Sequence, residues 1–243
     1  MRPVYLFISP DCCHGDELVI GGEQFHHLVR VKRLGNGALL HAVLPDGCVF
    51  DAEIHHIAEG TLHARVTGYS PPPILSPRRI TLYQAVLKGE KMDLIVQKAT
   101  ELGVSILQPL LTRRSVPRWS PAQAAERAER WQRIAEAAAE QCERSIPMRV
   151  ASPCHCDELA PLPKFTLLWH EREGENLHAL TDRVPGTHNI GLLIGPEGGW
   201  DNEEVTTFRT AGALPIHLGD RILRAETASI TAIVLAQYLW GDL

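Results

Sequence analysis

The chain has 243 residues, 44% of them hydrophobic and 22% charged, enough apolar material for a sizeable core in one large or two small domains. Its 24 Lys and Arg face 29 Asp and Glu, and a net charge of −5 excludes a globally basic nucleic-acid binder, so any RNA surface must be a local patch. Six scattered cysteines form no regular framework, which excludes a small disulfide-stapled domain and leaves reduced thiols as the expectation.

At the start of the chain, the apolar run Val4 to Ile8 is too short for a signal-peptide core. The longest apolar stretch, Ile230 to Trp240, falls short of the roughly 20 residues of a membrane span, so a cytoplasmic protein with a buried terminal helix is expected. The first seventy or so residues alternate short apolar runs with the turn signals Gly21-Gly22, Gly35-Asn36-Gly37, Pro45-Asp46-Gly47 and Glu59-Gly60, the texture of a small β domain. Leu39 to Leu44, Val49 to Ile54 and Leu62 to Val66 are its clearest strands, with a hairpin at Asp46-Gly47. Ser70-Pro71-Pro72-Pro73 reads as a stiff linker and sets the domain boundary near residue 73, giving domains 1–73 and 74–243. Residues 1–74 carry five Lys or Arg, eight Asp or Glu and seven of the twelve histidines. The pairs His26-His27 and His55-His56 lie in periodic contexts where satisfied or exposed histidines are ordinary, and a metal role is not favoured.

Beyond the linker, strands alternate with helical patterns, which predicts an α/β domain with a mostly parallel sheet. Strand Ile80 to Leu87, helix Met92 to Leu102 ended by Gly103, and strand Ser105 to Leu111 come first. A long helix follows from Pro121, a good first-turn proline after Ser120, to about Arg144, with Trp131, Ile134, Ala138 and Cys142 at helical spacing. Cys154 and Cys156 flank His155, but zinc sites use wider cysteine pairs with a second pair downstream, so no metal is expected. Strand Phe165 to Trp169, helix Leu177 to Val184, strand Ile190 to Ile194, helix Glu203 to Ala211, strand Ile216 to Leu218 and a final helix from about Thr227 complete the chain.

The most informative segment is Leu192 to Trp200, a buried strand running into Gly195-Pro196-Glu197-Gly198-Gly199. Glycines at the carboxyl end of a strand let backbone approach a ligand, and open α/β sheets bind ligands at that edge, although an ordinary tight turn would look similar. The segment matches neither G-x-G-x-x-G nor the Walker pattern, so dinucleotide and triphosphate binding are unsupported. A second strand-end loop, Leu218-Gly219-Asp220-Arg221-Ile222-Leu223, leads to Arg224-Ala225-Glu226 and Thr227, a plausible N-cap. Arg224 and Glu226 beside an apolar run are costly to bury unpaired, so they are either solvated flanking charges or part of a site.

Together, Ile194 to Gly199 and Leu218 to Ala228 resemble the 16S rRNA (uracil-1498-N3)-methyltransferase family of the SPOUT class. His26-His27-Leu28 to Arg33, Gln97 to Gly103, Arg130-Trp131 through Arg144, and Trp169-His170-Glu171 resemble it too, so the similarity spans nearly the whole chain. The resemblance implies a PUA-like β-barrel domain followed by a methyltransferase domain whose C-terminal strands and last helix form a trefoil knot. It implies S-adenosylmethionine as cofactor, no metal, a homodimer, and 16S rRNA or the small ribosomal subunit as partner. Knots are rare exceptions to normal connectivity, and no pattern of strands and helices would have selected one.

Carried onto this sequence, the resemblance places the cofactor among His170, Leu193, Ile194, Gly195, Gly198, Gly199, Leu218, Gly219, Ile222, Leu223 and Thr227. RNA contacts would come from Arg30, Lys32 and Arg33 and from Arg113 and Arg114. The implied reaction needs the target N3 deprotonated and in line with the methyl group. Glu226 or Glu197 can accept that proton and Arg224 can stabilise negative charge on the ring. Two alternatives stay open: methylation of another base or of a ribose 2′-hydroxyl on the same fold, and a catalytically silent ribosome-assembly RNA-binding protein. A phosphate-binding hydrolase lacks the lysine, nucleophile and metal set it would need.

Overall fold

The computed structural model describes residues 3–71, 78–115, 119–159, 161–181 and 186–243. The boundary expected at residue 73 and the Pro72-Pro73 part of the linker lie outside them. The chain divides into two compact units, Met1–Ile74 with Ala139–Ile146, and Leu75–Ala138 with Pro147–Leu243.

The first unit contains β1 (Val4–Phe7), β2 (Cys13–His14), β3 (Glu17–Ile20), α1 (Gly22–His26), β4 (Leu39–Val43), β5 (Val49–Ala58) and β6 (Thr61–Ser70). They form one six-stranded sheet in the order β1-β4-β5-β6-β3-β2, antiparallel except for β1 beside β4. Alternate residues of neighbouring strands, Leu18 and Ile20, Leu40 and Ala42, Ala52 and Ile54, Leu62 and Ala64, are buried in one core, as a two-residue period dictates. The expected hairpin is present: Gly47 has φ +88° and Leu44 N–H donates to the Cys48 carbonyl at 2.9 Å. Strands β5 and β6 run past the expected ends, carrying His55 and His56 on the outer stretch. His55 Nε2 and His63 Nδ1 lie 3.0 and 3.2 Å from Glu17 Oε1, the satisfied arrangement expected of histidines on a sheet.

The second unit contains β7 (Arg79–Ala85), α2 (Lys91–Glu101), β8 (Ile106–Leu111), β9 (Arg149–Val150), β10 (Cys154–His155), β11 (Phe165–Trp169), β12 (Glu175–Asn176), β13 (Asn189–Ile194), α4 (Asn202–Thr210), β14 (Leu214–His217) and α5 (Ala225–Trp240). Helix α3 (Pro121–Cys142) falls within it up to Ala138. Ser120 and Gln123 close a capping box ahead of Pro121, through bonds of 3.3 and 2.9 Å, which is why α3 begins there. The strands pair in parallel in the order β10-β8-β7-β13-β11-β14-β12, with β9 also on β8. Both faces are covered, and this accounts for the near-continuous apolar runs. Ile190, Leu192 and Ile194 of β13 enter the core that holds α2 and α5, whereas Leu193 enters the core with Trp200, Val205 and Phe208. No helix among the described residues is long and apolar enough to cross a membrane.

Besides the longer β5 and β6, strand β14 begins at Leu214 rather than Ile216, and two helices differ from expectation. The helix expected from Leu177 to Val184 is a short 3-10 turn, Leu177–Leu180, started by Asn176, whose side chain accepts from His178 N–H; Val184 itself lies outside the described residues. The last helix starts at Ala225, because Arg224 takes the extended N-cap conformation and its carbonyl accepts from Ala228 N–H at 2.8 Å. Thr227 is therefore within the first turn and does not cap it.

Candidate active site

Strand order decides where the functional loops meet. Trp169 at the end of β11 is in register with Ile194 of β13 on one side and with Ile216 of β14 on the other. The loops that follow these strand ends therefore emerge side by side at the carboxyl edge of the sheet, the usual ligand-binding edge of a parallel sheet. They enclose a cavity of about 590 Å³, inside the roughly 300–1,000 Å³ range of small-molecule sites.

The walls are held by specific bonds. Trp200 Nε1 donates to the Trp169 carbonyl at 3.1 Å, and a Cβ on Gly195 would meet that indole at 3.1 to 3.3 Å, a crowded approach that glycine avoids. Gly199 has φ +69°, the left-handed turn the loop needs before α4. Arg114 donates to the Gly198 carbonyl at 3.0 Å. His170 Nδ1 accepts from the backbone N–H of Arg172 and Glu173 at 3.3 and 3.0 Å, which leaves Nε2 as the donor nitrogen of the neutral ring. Leu218, Ile222 and Leu223 supply apolar lining.

Charge gathers on one wall. Lys91, at the first turn of α2, places Nζ 3.0 Å from Glu197 Oε1 and 3.5 Å from Glu226 Oε2. Glu226 Oε2 is buried and makes no well-formed hydrogen bond despite that proximity, so the longer contact is an ion pair only. Partial burial pulls the Glu197 carboxyl upward, but the Lys91 ammonium and the backbone N–H groups of Glu197 and Lys88 outweigh it, and its pKa lies below the usual carboxylate value. Lys91 is correspondingly raised, chiefly by its hydrogen bond to Glu197. Arg224 also lines the cavity.

Most of the residues expected at the cofactor come together here: His170, Ile194, Gly195, Gly198, Gly199, Leu218, Ile222 and Leu223 all line the cavity. Three do not. Leu193 points into the opposite core, because adjacent residues of a strand face opposite sides of the sheet. Gly219, with φ +88°, shapes the turn of its loop without lining the cavity, and Thr227 is exposed on α5. Of the expected catalytic residues, Arg224 and Glu197 are on the wall, while Glu226 stands behind Lys91. Lys91 and Glu171 also line the cavity and were not assigned a role from the sequence; Glu171 lies in the Trp169-His170-Glu171 block, and for Lys91 the sequence offered only the Lys88-Gly89-Glu90-Lys91 turn after a strand.

The expected RNA contacts separate. Arg30, Lys32 and Arg33 are exposed in the first unit, with Lys32 Nζ 4.0 Å from Glu140 Oε2. Arg114 lines the cavity. Arg113 is paired with Glu203 and lies 3.6 Å from Asp201, so its charge is neutralised at the start of α4. It borders a second cleft of about 830 Å³ whose acidic lining of Asp157, Glu158, Glu203 and Glu204 does not suit phosphate.

The profile of an RNA methyltransferase domain matches residues 75–237, and that of an RNA methyltransferase PUA domain matches residues 20–67. Ribosomal RNA small subunit methyltransferase E of Synechocystis is 34% identical over 94% of this chain and 75% of that protein. A Legionella pneumophila protein solved in complex with S-adenosylmethionine superposes with a TM-score of 0.88 at 30% identity, over 100% of both chains. Ribosomal RNA small subunit methyltransferase E of Neisseria gonorrhoeae, solved bound to S-adenosylmethionine, superposes with a TM-score of 0.87 at 28% identity, again over 100% of both. A PUA-like β unit followed by a parallel-sheet SPOUT methyltransferase unit and the similarity of nearly the whole sequence place this chain in the 16S rRNA (uracil-1498-N3)-methyltransferase family, that of ribosomal RNA small subunit methyltransferase E.

Proposed function

We propose that the protein methylates N3 of a uracil in 16S ribosomal RNA of the small subunit with S-adenosylmethionine as cofactor. The observation that carries this reading is the convergence of three strand-end loops on one cavity that has Arg224 and Glu197 on its wall. The cavity fits the cofactor. Its volume is adequate, and the flat Gly195 to Gly199 backbone, where a side chain at Gly195 would collide with Trp200, leaves amides and carbonyls available to read an adenine edge. Leu218, Ile222 and Leu223 give the apolar surface a flat ring needs, and His170 adds a donor.

The cofactor, when bound, supplies an electrophilic methyl group. The chain itself has to orient the target base, accept the N3 proton and stabilise the charge that spreads to the ring oxygens. A carboxylate at the cavity wall suits the second task and the Arg224 guanidinium the third. The exposed Arg30, Lys32 and Arg33 suit RNA phosphates. The crossing of β14 over to the far side of β11 and the return of α5 against α2 and β13 are compatible with a trefoil knot. Exposed Leu94, Val234 and Tyr238 on α2 and α5 suit a homodimer face.

The test is methylation of small subunits and naked 16S rRNA, followed by nucleoside mass spectrometry. N3-methyluridine is the expected product. A 2′-O-methylated nucleoside or another methylated base would assign a different reaction to the fold, and cofactor-independent RNA binding without any product would assign a silent binding role.

A further inference from the structure

Among the described residues, Lys91 is the group that touches both carboxylates considered for proton transfer. It opens α2, and its ammonium sits between Glu197 of the glycine loop and Glu226 of the first turn of α5, at 3.0 and 3.5 Å. Glu197 also accepts from Lys88 N–H at 3.3 Å, so its carboxylate is gripped from the α2 side by a side chain and by backbone. Only Glu197 of the two faces the cavity; Glu226, with its buried and otherwise unbonded Oε2, is an anchor on the far side of the lysine. An ammonium merely solvated at a helix start has no reason to bridge two acids from distant segments, one of them largely buried.

We propose that Lys91 is a positioning residue: anchored by Glu226, it holds the Glu197 carboxylate at the cavity wall as acceptor of the proton that leaves the target nitrogen. This rests on the methyl-transfer reading above. In the step, the N3–H bond breaks and its proton moves to Glu197. The nitrogen electron pair forms the new bond to the methyl carbon, and the pair of the broken carbon–sulfur bond stays on sulfur. A carboxylate on a glycine loop has many rotamers, and the bridge selects one; without the lysine, two like charges would be left facing each other and Glu197 would swing to water. The other charged or titratable groups lining the cavity are Arg114, His170, Glu171, Glu173, Arg221 and Arg224, and they are unchanged in the variants below.

The test is single-turnover methylation at saturating S-adenosylmethionine between about pH 6 and pH 9, with cofactor affinity by calorimetry and thermal midpoint measured alongside. Lys91→Met is expected to lower the rate about 10- to 100-fold at neutral pH, the scale of a misplaced proton acceptor, with the deficit relative to the parent shrinking as pH rises. Cofactor affinity should stay within about twofold, and Lys91→Arg should recover much of the rate. In a Glu197→Gln background, Lys91→Met should change the rate by less than about twofold, because the two act in one chain. Glu226→Gln, which leaves the lysine in place, should give a smaller loss in the same direction and decides the matter if Lys91→Met does not fold. Parental rates in Lys91→Met or Glu226→Gln, independent losses in the double variant, or a loss confined to cofactor affinity would overturn the proposal. A parent protein that binds cofactor and RNA but methylates nothing would strike the underlying reading instead.

Discussion

The indole Nε1 of Trp200 donates to the main-chain carbonyl of Trp169 at 3.1 Å, tying the end of β11 to the glycine loop that follows β13. Gly195 lies flat against that same indole, so a side chain there must either displace Trp200 or lift the loop. Gly195→Leu is expected to remove S-adenosylmethionine binding in calorimetry, and Trp200→Phe to lower stability by about 1 kcal/mol through loss of one hydrogen bond. Gly219→Ala tests a different mechanism: a Cβ there meets nothing, but its φ of +88° strains any L-residue, and a loss of about 1–2 kcal/mol with weaker cofactor binding is expected. Unchanged affinity in Gly195→Leu would place the pocket elsewhere.

Arg224 borders the cavity from the N-cap of α5, where its side chain makes no capping bond and is available to a ligand. Arg224→Ala should keep cofactor affinity while raising the barrier to single-turnover methylation by about 2–4 kcal/mol. Arg224→Lys should recover little, because a point charge does not reproduce the planar fork. A parallel loss of cofactor affinity would reassign Arg224 to the cofactor.

The two sets of arginines proposed for RNA should behave differently. Replacing Arg30 or Arg33 by Ala is expected to reduce the slope of log affinity against log salt by roughly one per lost phosphate contact. Arg113 is already paired with Glu203 and close to Asp201, and Arg113→Ala should leave the slope unchanged. A slope that responds to Arg113 but not to Arg30 or Arg33 would move the RNA surface to the second unit.

Cys156 gives a pH dependence unrelated to catalysis. Burial, and then the neighbouring Glu204, push its thiol pKa well above the ordinary value. Because the folded-state pKa is raised, its contribution to stability is complete below the unfolded thiol value of roughly 8.5 and is lost as pH rises above it. Denaturant unfolding across alkaline pH should therefore show a decline that is shallower in Cys156→Ala, and Cys156 should resist alkylation at neutral pH. Identical pH profiles for the two proteins would refute the assignment. Lys91, whose pKa is raised, adds its own loss only at still higher pH.

What the sequence determined is what neighbouring residues decide. Phe165–Trp169 and Asn189–Ile194 are legible as buried strands because unbroken apolar runs suit a sheet covered on both faces. The Asp46-Gly47 hairpin and the start of α3 at Pro121 follow from turn and capping chemistry within four residues. The glycine loops were legible as candidate ligand loops because they follow buried strands, and the combination of the two segments carried the family resemblance. The tertiary structure alone decided which residues share the site. The pleat sends Leu193 into one core and Ile194 toward the other, a distinction that a run of apolar residues does not carry. The capping of α5 by Arg224 puts Thr227 on an exposed face. Pairing of Arg113 with the first turn of α4, and of Lys91 with Glu197 across 106 residues of chain, depends on which strands lie adjacent, and long-range charge pairing leaves no local pattern to read.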